Sequence, residues 1–305
     1  MDNEGKKLKL VTHNGSFHAD DVFACATLFL VLKKTNQQSE LIRTRDEEII
    51  KNGDIVFDVG GVYDAEKNRF DHHQVGGAGK RANGIDYASF GLVWKKFGIE
   101  ICDDEKTLDF IDKKLVSPID AADNGIDLVE NKHNVSPYFI QNFISSMKPT
   151  WREDATEDEM FLKSVAIASD ILSREIIQTQ DAFLAESAII SSYQNSADKR
   201  IIILDEHYPY EYVLQNFSEP LFVIYPRKIT KDWGVRAVRK DTLTFNNRKD
   251  LPKSWDGLQN EELQKLTGVE DAIFCHRGLF LAVAKSKEGA IKLAEIALQA
   301  NPPSA

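Results

Sequence analysis

The sequence predicts an α/β protein whose first half is a doubly wound, mostly parallel sheet, followed by a second, smaller α+β domain. Strand and helix patterns alternate over the first half, which is typical of parallel sheets. Polarity rises at residues 194–199, and short strand candidates dominate beyond them. The 305 residues suffice for two ordinary domains, which we place at 1–195 and 196–305.

The elements of the first half follow from local patterning. Residues 8–11 are an apolar run that predicts a buried strand. Residues 21–34 predict a core helix with Asp20 and Asp21 at its start, where the helix dipole stabilises acidic side chains. We predict further strands at 41–44, 54–61 and 69–73, and further helices at 87–97 (closed by Gly98), 106–123 (kinked by Pro118) and 157–193 (broken once).

The second half reads as short strands accompanied by two helices. The predicted strands are 201–204, 221–225, 235–238, 272–275 and 279–284, and the predicted helices are 261–266 and 287–300.

Composition limits the class of protein. The net charge of -10 argues against a protein whose main task is coating nucleic acid, so a polyanionic substrate must be attracted by local charge or bound metal. The three cysteines are far apart and predict buried thiols in a reducing compartment. Residues 1–9 lack a targeting pattern and no apolar run reaches membrane-spanning length, so we expect a cytoplasmic protein without a membrane partner.

Histidine and aspartate are concentrated in two short segments. Four of the seven histidines lie within residues 12–21 and 69–74, and both segments contain aspartate. Imidazole and carboxylate ligands suit divalent transition metals. A site with several carboxylates and no thiolate indicates hydrolysis of a phosphate ester.

The candidate ligands lie where predicted strands end. His13, Asp58 and His72 each follow a strand, and the sites of parallel sheets form beyond the carboxyl ends of strands. We expect one of the two consecutive histidines, His72 and His73, to bind metal and the other to point toward the substrate. The remaining ligand candidates are His18 and Asp20, on the turn into the first helix, and Asp120 or Asp123 at a helix end. Asp71 either supports its neighbour His72 or closes a turn. Asp21 is interpreted as a helix N-terminal carboxylate rather than a ligand.

Such a ligand set suits two divalent ions. Two ions stabilise both the attacking and the leaving oxygen at phosphorus, and they acidify a water between them. Mixed nitrogen and oxygen ligands favour Mn²⁺ over Mg²⁺, and Co²⁺ or Zn²⁺ remain open.

Residues 71–73, Asp-His-His, resemble the signature of the DHH phosphoesterase superfamily, which includes manganese pyrophosphatases and RecJ-type exonucleases. Segments 12–21, 58–64, 69–74, 87–94 and 119–125 more closely resemble the melanocyte proliferating gene family of metal-dependent hydrolases, and the likeness runs from about residue 10 to 300. The resemblance implies that His13, Asp58, His72 and one of Asp120 and Asp123 are metal-site residues. The position of Asp123 beside the Asn-Gly helix stop favours Asp123 of the two. It also suggests a 3′–5′ exonuclease acting on RNA.

The chain departs from the superfamily pattern at one position. The superfamily has a histidine followed by two aspartates spaced by one residue, whereas this chain has His18 and Asp20 there, with one extra residue after His13. Histidine in place of aspartate lowers the negative charge around the ions. The metal preference therefore stays open, and a metal affinity like that of the manganese pyrophosphatases does not follow from the resemblance.

The second domain contains a basic stretch. Residues 226–253 include nine Lys or Arg against three Asp, which indicates either a solvated charged face or a phosphate-binding surface. Residues 276–278 with Lys285 resemble the substrate-binding segment of the family. The substrate-binding candidates are His276, Lys285 and Arg236 in that order, with Arg277 as the alternate.

The leading hypothesis is a two-metal phosphodiester hydrolase acting on RNA or short oligonucleotides, with His73 and Asp71 as catalytic candidates. One alternative is a dinuclear hydrolase of a small phosphate compound such as pyrophosphate or a nucleotide. The other is a metal-dependent binding protein without turnover. A homodimer formed through the 157–193 helical stretch remains open.

Overall fold

A computed structural model describes residues 7–300 and divides the chain into two compact units, Met1–Gln180 and Asp181–Ala305. Residues 1–6, part of the segment predicted to lack a targeting pattern, and residues 301–305, the end of the predicted second domain, lie outside the described residues. The predicted division at residue 195 and the role of each domain stay predictions. Within residues 7–300, no helix is long and apolar enough to cross a bilayer.

The first unit contains a five-stranded sheet of order β2-β1-β3-β5-β4. The first four strands in that order are parallel, and the pairing of β5 with β4 is antiparallel. A mixed α/β fold with a mostly parallel sheet is therefore confirmed. The strands are β1 (Leu8–Thr12), β2 (Ser39–Arg43), β3 (Ile55–Phe57), β4 (Tyr63–Asp64) and β5 (Arg69–Phe70).

Helices pack on both faces of this sheet because side chains alternate along each strand. Leu10 belongs to the large core formed with the nearly fully buried helix α1 (Ala19–Lys34). Its neighbour Val11 packs instead with Val56 of β3 and with Ile50 of the short helix α2 (Glu47–Lys51). The helices are α1 (Ala19–Lys34), α2 (Glu47–Lys51), α3 (Ser89–Cys102), α4 (Glu105–Ile111), α5 (Ser117–Asp123), α6 (Ile140–Ser146) and α7 (Glu157–Leu184), with a π-helical turn at Asp112–Val116.

Helix α3 continues through Gly98, so the predicted stop at this residue was wrong. A Cβ atom at Gly98 would lie 2.6 Å from Cδ1 of Leu108 and 2.9 Å from the ring of Trp94. The glycine therefore serves close packing between α3 and α4. The helix ends instead at Asp103, whose φ of 63° is the left-handed conformation of a helix C-terminus.

Two predicted interruptions are confirmed. The 106–123 stretch is divided by the π-helical turn before Pro118, which lacks an N–H donor. The 157–193 stretch breaks once, at Ala185. The short elements α2, α6, β4 and α9 (Glu211–Leu214) were not predicted, because a few residues do not establish a hydrophobic period.

The second unit contains another five-stranded sheet, of order β6-β7-β8-β10-β9. Only the pairing of β6 with β7 is parallel, and the other three are antiparallel. The elements are α8 (Glu186–Asn195), β6 (Ile201–Ile203), α9 (Glu211–Leu214), β7 (Phe222–Arg227), β8 (Asp232–Ala237), a 3-10 turn (Lys253–Trp255), α10 (Asn260–Thr267), β9 (Ala272–Cys275), β10 (Leu281–Ala284) and α11 (Lys287–Gln299).

All three cysteines of the chain are buried and unpaired, as predicted.

Candidate metal centre

Adjacent parallel strands deliver polar side chains to one edge of the first sheet. His13 directly follows β1, Asp58 directly follows β3, and His72 lies two residues beyond β5. Asp58 has a φ of 54°, a left-handed conformation that is uncommon outside glycine. Such strain persists where the surroundings hold the residue firmly, and it concentrates at functional sites.

Asp58 is the centre of the cluster. Its Oδ2 lies 3.2 Å from Nε2 of His13, and its Oδ1 lies 3.5 Å from Nε2 of His72. The Ser89 hydroxyl donates a hydrogen bond of 3.2 Å to Oδ1. The two oxygens of one buried carboxylate therefore face two different imidazoles.

The first turn of helix α1 contributes two further carboxylates. Asp21 accepts a hydrogen bond from the backbone N–H of His18 at Oδ1 (2.7 Å), so it does serve the helix N-terminus as interpreted. Its Oδ2 also lies 3.2 Å from Nε2 of His13. Asp20 accepts hydrogen bonds from the backbone N–H groups of Ser89 (3.0 Å) and Phe90 (2.7 Å) at the start of helix α3. These contacts hold both carboxylates in place, fully buried.

The two aspartates of helix α5 differ in their surroundings. Oδ2 of Asp123 lies 3.2 Å from Nε2 of His72. Asp120 instead accepts hydrogen bonds from Nη1 of Arg81 (2.6 Å) and from the backbone N–H of Gly91 (3.0 Å). A Cβ atom at Gly91 would lie 1.9 Å from Oδ2 of Asp120, so only glycine admits this carboxylate.

His73 and Asp71 form a pair beside the cluster. Nδ1 of His73 lies 2.6 Å from Oδ1 of Asp71, whose other oxygen accepts a hydrogen bond of 2.6 Å from the backbone N–H of Gly61. The His73 side chain is 62% exposed, whereas Asp71 is buried. The ring of exposed His18 lies 6.4 Å from that of His13. Both histidines 18 and 73 line one cleft of about 900 Å³ with His13, Asp58, Asp123 and Arg45.

The cluster concentrates negative charge. Burial opposes protonation of His13, but Asp21 and Asp58 outweigh it and raise its pKa to about 10. Burial likewise opposes protonation of His72, yet Asp123 and Asp58 raise its pKa to about 11. Burial, together with the neighbouring carboxylates, raises the pKa of Asp20 well above its usual range. The raised pKa values reflect the excess of negative charge in the cluster, and bound cations would stabilise that charge.

The donor atoms fit divalent metal ions. Nε2 of His72 and Oδ2 of Asp21 are buried and, despite the charged groups 3.2 Å away, make no well-aligned hydrogen bond among residues 7–300, although buried polar atoms are normally satisfied. Imidazole nitrogens and carboxylate oxygens are ligands of first-row divalent ions. Within the described residues, three sets bring donor atoms within 4.8 Å of one another: His13, Asp21 and Asp58; Asp20, His72 and Asp123; and Asp58, His72 and His73.

The predicted substrate-binding residues all lie in the second unit. Arg236 of β8 and His276 after β9 meet at Phe280, with the guanidinium carbon 5.6 Å and the imidazole centroid 4.3 Å from its ring centroid. Lys285 follows the last residue of β10, whereas Arg236 pairs with the first, so these two cations lie at opposite ends of that strand. Arg277 is exposed in the turn after His276.

Three residues at the site escaped sequence reasoning: Asp21 as a neighbour of His13, Ser89 and Arg45. The consecutive acids at positions 20 and 21 were a usable signal, since neighbours on a helix point in directions 100° apart. Ser89 lies within segment 87–94, which carries part of the family resemblance, but nothing in that segment assigned it to the site, and no pattern marked Arg45.

Comparison with known proteins adds an independent finding. The model of a family described as "Uncharacterised protein family (UPF0160)", MYG1_exonuc, matches residues 9–298. The chain is 30% identical to a Bos taurus protein named MYG1 exonuclease, over 96% of this chain and 85% of that protein. It is 29% identical to the Homo sapiens MYG1 exonuclease (95% and 85%) and 28% identical to a Dictyostelium discoideum MYG1 protein (97% and 98%).

Proposed function

Because the chain belongs to the MYG1_exonuc family, UPF0160, we propose that it is a two-metal phosphodiester hydrolase that degrades RNA or short oligonucleotides from the 3′ end. Relatives named exonuclease support a nuclease. The metal mechanism, the RNA substrate and the direction are our own inferences. A DHH-like, doubly wound fold for the first unit is part of the same proposal.

The division of Asp58 between two histidines is the observation that carries the proposal. Oδ2 faces His13 and Oδ1 faces His72, which is the arrangement expected of a carboxylate shared by two ions. One ion would be held by His13, Asp21 and Asp58, with His18 nearby, and the other by Asp20, Asp58, His72 and Asp123. When bound, such ions supply positive charge to the attacking and leaving oxygens and lower the pKa of a water nucleophile. Mn²⁺ is the expected ion, with Mg²⁺, Co²⁺ and Zn²⁺ as alternatives.

The protein's own groups orient the substrate. The hydrogen bond from His73 to Asp71 raises the pKa of His73, which favours the protonated imidazole. Asp71 fixes Nδ1 of this ring, which leaves Nε2–H to donate to a phosphoryl oxygen of the substrate. We assign the catalytic roles to His73 and, as the residue that positions it, Asp71. We assign substrate binding in the second unit to His276, Lys285 and Arg236, with Arg277 as the alternate.

We expect purified protein with Mn²⁺ to shorten single-stranded RNA from one end. RNA labelled at its 5′ end should give a descending ladder, and RNA labelled at its 3′ end should release labelled mononucleotide at once. Rapid loss of the 5′ label instead would reverse the proposed direction. Turnover of pyrophosphate or mononucleotides without turnover of RNA would favour the small-phosphate alternative. Metal binding without hydrolysis of any of these would favour a binding protein. Cytoplasmic location and a homodimer stay predictions.

We expect Mn²⁺ to stabilise the folded protein, because the ligand cluster is assembled only in the folded chain. At a free concentration of about 100 times Kd, each bound ion should raise the free energy of unfolding by about 2.7 kcal/mol. Thermal unfolding with Mn²⁺ and with EDTA measures this difference, and an Asp58→Asn variant should show a smaller one. An unchanged melting temperature with every divalent ion tested would contradict the metal site.

A further inference from the structure

A second groove, of about 640 Å³, adjoins the metal cleft within the first unit and shares Arg45, Val59 and Gly60 with it. We call it the α2 groove, because helix α2 forms one side and residues 62–69, which contain β4 and the first residue of β5, form the other. Its lining comprises the three shared residues with Glu47, Ile50, Lys51, Val62, Asp64, Lys67 and Arg69. Neither the family resemblance nor the proposed metal chemistry accounts for this groove.

Cations outnumber acids in the α2 groove. Four Lys or Arg side chains line it (Arg45, Lys51, Lys67 and Arg69) against two acidic ones (Glu47 and Asp64). This balance is the reverse of that in the metal cleft, where Arg45 is the one Lys or Arg among the described lining residues. Within the first unit, a polyanion that entered the cleft would therefore meet most of the lining cations along this side.

Two of the four cations are already engaged. Nζ of Lys67 pairs with Asp64 at 2.8 Å, and the guanidinium of Arg69 donates to backbone carbonyls, including those of Lys51 and Gly53. The side chains of Arg45 and Lys51, in contrast, are not engaged. Both residues are exposed, and neither side chain has a hydrogen bond or ion pair with another residue in the range 7–300.

The groove also offers apolar surface between its cations. Val62, which is 49% exposed, and the partly buried Ile50 both line it. Apolar side chains contribute nothing to the binding of a free inorganic anion. They can contact a nucleic-acid strand, because its bases and sugars are largely apolar on their faces while its phosphates require cations.

We infer that the α2 groove binds the backbone of a single-stranded nucleic acid whose terminal phosphodiester lies in the metal cleft. Arg45 holds a phosphate at the junction and Lys51 holds one further along the strand. The inference rests on the proposed function and extends it, because it makes the enzyme prefer strands longer than a dinucleotide.

Salt dependence of binding tests the groove without turnover. Fluorescence anisotropy of a labelled RNA strand in EDTA gives the dissociation constant at several salt concentrations for Arg45→Gln and Lys51→Gln. The control is Lys33→Gln, because Lys33 is an exposed lysine at the C-terminal end of α1. Each groove variant should bind about threefold more weakly and lower the salt slope by about 0.7, the value for one phosphate contact. Lys33→Gln should match the original protein.

A kinetic comparison separates this inference from the proposed function. The ratio of kcat/KM for a long strand to that for a dinucleotide should fall about threefold in Lys51→Gln but not in Lys33→Gln. RNA hydrolysis with equal ratios and equal salt slopes in both variants would overturn the groove and leave the nuclease standing. Groove-dependent RNA binding without hydrolysis would support the groove and overturn the nuclease.

Discussion

His72→Ala should lower the kcat/KM of Mn²⁺-dependent RNA hydrolysis by about 10³-fold or more, equivalent to about 4 kcal/mol of transition-state stabilisation. Nε2 of His72 lies within 3.5 Å of oxygens of both Asp58 and Asp123. The alanine would leave those carboxylates without their shared imidazole and would remove one nitrogen donor from the proposed ligand set. Single-turnover assays on labelled RNA measure the loss.

A folded variant is required for that comparison. Circular dichroism and melting temperature check the fold, and Asp123→Asn, at the end of helix α5, provides a second variant if His72→Ala unfolds. His133→Asn is the control, because His133 is exposed and its left-handed backbone (φ 59°) suits asparagine. Activity of His72→Ala and Asp123→Asn equal to that of His133→Asn would remove the two-metal assignment.

Arg81→Met should cost about 3–5 kcal/mol of unfolding free energy at about pH 8. The Arg81 guanidinium, 7% exposed, binds Asp112 through Nε and Nη2 and the fully buried Asp120 through Nη1. Methionine keeps most of the side-chain volume but leaves the Asp120 carboxylate buried without its cation. Lys80→Met is the control, because its pair with Asp86 is at the surface, where such pairs contribute less than about 1 kcal/mol.

The Arg81 defect should shrink as the pH falls. Burial already raises the pKa of Asp120 to about 7, against the opposing effect of Arg81, and loss of the guanidinium raises it further. A carboxyl whose pKa is higher in the folded than in the unfolded state binds more protons when folded, so its ionisation reduces stability as the pH rises. Denaturant unfolding should therefore show a smaller deficit at about pH 5 than at about pH 8. A deficit as small as that of Lys80→Met at both pH values would show that Asp120 does not depend on Arg81.

Local chemistry explains which elements were predictable. The buried strands and the long helices α1, α7 and α11 follow from apolar runs and periodicity, and the predicted ranges overlap those observed. Gly98 misled the prediction because glycine serves two purposes, helix ending and close packing, and only the presence of Leu108 and Trp94 beside it separates them. The short helices α2 and α6 begin at local hydrogen bonds to the side chains of Asp46 and Asn142, and they carry too few residues for a period.

The sequence alone determined the mostly parallel first sheet and the concentration of histidine and aspartate at the ends of its strands, because strand periodicity and residue type are local properties. Tertiary structure alone decided how those groups are divided. It turned the two oxygens of Asp58 toward two histidines, directed Asp123 to His72 and Asp120 to Arg81, and aimed Asp21 at His13. Except for the contact of Asp21 with His13, those choices depend on contacts between residues more than ten positions apart, whose distances and directions are set only when helices α1, α3 and α5 pack together.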